Sequence, residues 1–181
     1  MRLRFAATVA AAVVAAVAVV HAEGEIKVTA LVDGGRVYAS FTSSDALNGD
    51  TLSIVKSGLL LTLTYEVALR KPAIFFDDTV AAATVAASVK FDSLTGGYQV
   101  TKVHDGKVIS SKRTEEEADV RALITAFERV PLDPASPLEA NADYYVRVRL
   151  HKSPKTTFSL WFFWPWGRDE ASGRAAFTYI R

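Results

Sequence analysis

Alternation of apolar and polar positions dominates the chain. In GLLLTLTYEVALRKP, Leu59, Leu61, Leu63, Tyr65, Val67 and Leu69 share one parity, and Leu60, Thr62, Thr64, Glu66, Ala68 and Arg70 the other. A period of two over this length predicts a long half-buried strand. Pro72 ends it, because proline cannot donate to a ladder. Ile26, Val28, Ala30 and Val32 repeat the pattern before Asp33-Gly34-Gly35, and Val37, Ala39 and Phe41 repeat it afterwards. These two runs predict a hairpin. DYYVRVRLHK places Val146, Val148 and Leu150 against Arg147, Arg149 and His151. In YQVTKVHDGKVISSK the dipeptide Asp105-Gly106 predicts a tight two-residue turn, where both positions need positive φ. RAAFTYIR suits a last strand.

Two segments read differently. TEEEADVRALITAFERV predicts an amphipathic helix with a Thr114–Glu117 capping box, a stripe of Val120, Leu123, Ile124 and Phe127, and a Glu117–Arg121 pair. Pro131, Pro134 and Pro137 then predict a loop. TVAAATVAASVKF is rich in alanine, yet Val85, Val89 and Phe91 fall on one strand face, and it is read as a strand. A short helix fits Leu52 to Lys56. Short connections between neighbours indicate antiparallel pairing. The expected fold is a mainly β, antiparallel β-sandwich of about eight or nine strands. It is immunoglobulin-like in general architecture, with one helix inserted before the last three strands.

The N-terminus changes the picture of compartment. Arg2 and Arg4 precede Phe5 to Val20, apolar except for Thr8, and Val20-His21-Ala22 puts small residues where signal peptidase needs them. This is the layout of a signal peptide cleaved after Ala22. The run is short of the about 20 apolar residues of a spanning helix, the alternative being a retained anchor. The expected organisation is a signal peptide over 1–22 and a single exported domain over 23–181. The destination is the periplasm or the extracellular space.

The chain has no cysteine, which excludes disulfides, thiolate nucleophiles and cysteine metal sites. Removing Arg2 and Arg4 from 21 basic residues leaves 19 against 20 acidic ones, a balance that gives no case for nucleic acid.

The order of the parts resembles the bacterial exported domain-of-unknown-function family DUF4390. The residues that carry the resemblance are LRKPAIFFDD, VKFDSLTGGYQV, YYVRVRL and the closing FTYI, with a departure at Val89, where the family tends to be aromatic. The resemblance spans Gly24 to the C-terminus and implies an envelope protein with no established activity.

Candidate chemistry is sparse. His104 sits by a turn and His151 on a polar strand face, without HExxH, G-x-S-x-G or any other motif that would make either a base or ligand. Asp77-Asp78 suits turn chemistry, and two carboxylates fall short of the six oxygens calcium takes. Glu115 to Glu117 favour a helix N-terminus. Gly34-Gly35 and Gly96-Gly97 read as hairpin turns rather than phosphate cradles. Arg147 and Arg149 beside Tyr145 make a small basic aromatic face, suited to an anionic glycan or lipid headgroup, or simply a solvated strand face.

SLWFFWPWGRD holds five aromatic residues, too many to expose together. Parity assigns Phe162 and Trp164 to the core and leaves Trp161, Phe163 and Trp166 as the candidate partner or membrane-interface contact. The alternative is that the helix or a loop covers them. The expected function is a non-catalytic cell-envelope binding or protein-interaction domain, without cofactor, facing an envelope protein or a membrane surface. The alternatives are an envelope hydrolase, marked by a buried and paired His104 or His151, and a small membrane-associated β-barrel.

Overall fold

A computed structural model describes residues 26–44, 46–154 and 171–180. Nine strands and two helices follow one another as β1 (Ile26–Asp33), β2 (Arg36–Ser43), α1 (Gly49–Lys56), β3 (Leu61–Lys71), β4 (Asp78–Asp92), β5 (Gly97–His104), β6 (Lys107–Thr114), α2 (Glu117–Thr125), β7 (Ala126–Leu132), β8 (Ala142–Pro154) and β9 (Ser172–Tyr179). Every pairing is antiparallel. The strands form two open sheets, ordered β1-β2-β7 and β6-β5-β4-β3-β8-β9, and not a closed barrel. The fold is a mainly β sandwich with α2 placed before the last three strands.

The parity read from the sequence sets the layers. Leu61, Leu63, Tyr65, Val67 and Leu69 are all buried, as are Val85, Ala87 and Val89 across from them. From the smaller sheet, Ile26, Val28, Val37, Phe41, Phe127 and Leu132 meet them. Phe41, Tyr65 and Phe127 form a ring cluster with centroids 4.9–5.4 Å apart, a spacing that suits tilted and edge contacts. The buried Tyr65 hydroxyl donates to the Ile124 carbonyl at 3.2 Å. Burial pushes its pKa far above the usual phenol value, so it stays protonated and donating.

A three-stranded sheet cannot cover a six-stranded one. β1 lies against β8 and β9 and β7 against β4, while α1 and α2 fill the remaining inner face over β4 and β5. Asn48 caps α1, accepting from the Thr51 amide at 2.9 Å.

The second helix departs from expectation. It ends at Thr125, and Ala126–Leu132, Pro131 included, is strand β7 paired with β2. Arg129 takes a φ of 49° where the β2 register slips between Ala39 and Phe41, and its amide donates to Ser40 Oγ. This is the geometry of a bulge. Burial of Phe127, Val130 and Leu132 against β2 overrides the helical spacing. The expected capping box does not close either. Glu116 is the N-cap without a side-chain bond, and Thr114 Oγ1 instead accepts from the Glu116 amide and donates to Asp119. Glu117 bonds Lys56 of α1 at 2.5 Å, and Arg121 reaches the Leu47 carbonyl.

Candidate binding surface

The outer face of the larger sheet carries a cluster of arginines. It follows from register. On β3, Glu66, Ala68 and Arg70 point away from the core, because Tyr65, Val67 and Leu69 point into it. Their β8 partners are Arg149, Arg147 and Tyr145. The β9 partners of those three are Ser172, Arg174 and Ala176. Four arginines, Arg70, Arg147, Arg149 and Arg174, therefore occupy neighbouring positions on three adjacent strands.

Tyr145 is the hub. Its hydroxyl donates to the Asp77 carboxylate, and the Arg174 guanidinium lies 4.4 Å from its ring centroid. The Tyr145 hydrogen bond, then the Ala73 amide, hold the Asp77 pKa below its ordinary value. Burial, then the bond to Asp77, raises that of Tyr145. Partial burial, then Arg149 and Arg70, lower that of Arg147. The Nε of Arg70 is buried with no hydrogen-bond partner among the described residues.

Beside this face, the β3–β4 turn carries the largest exposed apolar side chains of its neighbourhood. Ile74 is 94% exposed, and Phe75 and Phe76 are each 87% exposed. The two phenylalanines alone present roughly 300–400 Å², within the range of the largest patches on monomeric proteins, which are often functional. The turn is pinned at its base. Asp77 accepts from the Ala73 amide at 3.3 Å, and its carbonyl accepts from the Arg70 guanidinium at 3.3 Å.

Asp77 thus performs turn chemistry, and Asp78 opens β4 opposite Lys71. No group of three His, Asp or Glu side chains stands close enough to hold a metal ion among the described residues. The histidines lie on opposite faces of the larger sheet. His104 pairs in register with the inward Val85, and His151 with the outward Thr64. Each is half-buried beside one carboxylate, His104 at 3.4 Å from Asp105 and His151 at 3.5 Å from Glu66. His151 lies within β8 rather than at its end. Asp105 and Gly106 both take positive φ in the expected tight turn. The aromatic candidates Trp161, Phe163 and Trp166, the core assignment of Phe162 and Trp164, and the segment 1–22 all lie outside the described residues.

Sequence reading found Arg147, Arg149 and Tyr145 together because alternation on one strand is local. Arg70 and Arg174 join them only through the β3–β8–β9 register, which is set by long-range pairing. The tip carried a usable signal: three large apolar residues inside a proline-bounded turn must sit at a surface.

A model of the domain of unknown function DUF4390 matches residues 25–162, most of the chain, from the start of β1 through β8. Neither the curated proteins nor the solved structures searched contain a match.

Proposed function

The chain belongs to the DUF4390 family, and from that premise we propose that it is an exported, non-catalytic binding or protein-interaction domain of the bacterial cell envelope. One observation carries this reading: a pinned, exposed apolar tip beside a sheet face on which Arg147 and Arg174 stand directly opposite each other. Like charges directly across a ladder are destabilising, and exposed phenylalanines contribute nothing to the core. Both features gain stability on contact with something else. The layout of residues 1–22 supports export, and the periplasm is the compartment it favours most directly.

The test is a photo-crosslinking residue placed at Phe75 in living cells, with one at Gly34, in the β1–β2 turn, as comparison. Adducts to an envelope component from Phe75 alone are expected. Equal or absent labelling at the two positions sinks the proposal. The mass of the exported chain is expected to begin at Glu23, and a mass retaining Met1 to Ala22 makes it an anchored protein instead.

The hydrolase reading keeps one observation in its favour, the carboxylate beside each half-buried histidine. His104→Ala and His151→Ala are expected to leave crosslinking and phenotype intact. Loss of phenotype in a folded variant turns the assignment to the enzyme.

A further inference from the structure

Each of the two open sheets ends in two edge strands, and three of these four edges are covered or interrupted. β7 is broken by the bulge at Arg129 and by Pro131, which has no N–H to offer. β1 and β9 lie against each other where the Ile26 carbonyl meets Gly173. β6 is the fourth edge. It too has a bulge, at Ile109, where the register slips between Lys102 and Val103. Beyond the bulge, residues 110–114 pair one for one with β5 and contain no proline.

An antiparallel strand turns the N–H and C=O of alternate residues to opposite sides, so roughly half of residues 110–114 aim both groups away from β5. Among the described residues, no backbone group outside β5 bonds to them. A groove runs beside this stretch. α2 follows β6 and packs on β4 and β5, and its Asp119, Ala122 and Leu123 enclose about 280 Å³ together with Lys112, Arg113 and Thr114. Leu123, half-buried against the core, supplies the apolar surface, and Ala122 is exposed. Two of the charged groups are already engaged. Asp119 accepts from Thr114 Oγ1 at 3.0 Å, and Arg113 stands 3.6 Å from Asp92. Lys112, opposite the buried Val100, adds a long alkyl stem to the wall.

From this juxtaposition we infer that β6 is a peptide-binding edge. An extended segment of another protein adds as a further strand beside residues 110–114, with alternate apolar side chains in the groove against Leu123 and Ala122. A row of unmet backbone donors and acceptors at strand spacing is matched by extended polypeptide, which carries the same groups at the same repeat. Main-chain bonds then supply affinity, and a pocket for every second side chain supplies specificity. A second copy of the chain is the poorer occupant. Full antiparallel self-pairing of residues 110–114 puts Lys112 opposite Lys112, and like charges across a ladder are destabilising. The site is separate from the apolar tip. Thr114 lies level with Tyr98 and Phe91, at the end of β4 away from the β3–β4 turn.

A library of random peptides displayed on phage is panned against the chain as isolated from cells. Recovered peptides are expected to carry an apolar residue at every second position. One of them, made synthetically, should slow amide hydrogen exchange at alternate residues of 110–114. Ala122→Arg fills the groove from an exposed helical position, so it should melt like the parent and bind that peptide roughly tenfold more weakly. Phe75→Ala should bind it like the parent. No convergent peptide, a peptide that leaves residues 110–114 unprotected, or equal binding by Ala122→Arg each overturn the inference. Concentration-dependent dimers of the chain alone that protect the same amides make a second copy the occupant and overturn it too. Loss of binding in Phe75→Ala moves the peptide to the tip, which overturns the edge and leaves the binding reading above standing.

Discussion

Tyr65 and Tyr145 show how one residue type takes opposite roles on two faces of a sheet. Tyr65 faces inward and satisfies the Ile124 carbonyl. Tyr65→Phe leaves that acceptor orphaned and should cost about 1 kcal/mol in denaturant unfolding, with the ring cluster intact. Tyr145 faces outward and holds Asp77. Because the folded Asp77 pKa is depressed, its contribution is present above the ordinary value of 3.8 and is lost as pH falls through the lower folded value. Tyr145→Phe should raise the Asp77 pKa toward that ordinary value, measured by carboxyl NMR titration. The amides of residues 73–77 should then exchange faster, and an unchanged titration would show that the hydroxyl does not hold the turn. Residue identity alone distinguished neither tyrosine. Parity placed Tyr65 in the core, and only the cross-strand partner reveals what Tyr145 holds.

Between elements, a close backbone approach occurs at Gly173. A Cβ added there would stand 2.0 Å from the Ile26 carbonyl oxygen and 2.8 Å from a Val28 methyl. The start of β1 crosses directly over β9, and no side chain fits between them. Gly173→Ala should lower stability by about 1–3 kcal/mol or more, since the obstacle is backbone. Gly49→Ala is the matched opposite. It opens α1 with nothing within 4 Å, and alanine there should be neutral or stabilising by up to about 1 kcal/mol. Thermal melts of the two variants check both signs, and equal melting points would contradict the crossing. Strands were the legible elements, because a period of two is written into consecutive residues. The junction of α2 and β7 was not. Val120, Ile124 and Phe127 keep helical spacing, but Phe127 and Val130 also suit one strand face once Arg129 bulges. Pairing with β2, 80 and more residues earlier, decides it.

Across the whole molecule, the two sheets are joined at the chain's own extremes. The first strand belongs to the smaller sheet and the last to the larger, yet they lie on each other. Deleting residues 172–181 should expose Ile26 and Val28, leave β8 without its outer partner, and abolish a sharp cooperative melt. A truncated chain that melts like the parent would show β9 to be an accessory. This arrangement bears on time as well as shape. A chain made from its N-terminus presents β1 well before β9 and leaves the part of β1 that β9 covers exposed until then. Contacts this distant in sequence are slow to form, because closing the loop costs entropy before burial repays it. Closure of β1 onto β9 is therefore a late event in folding.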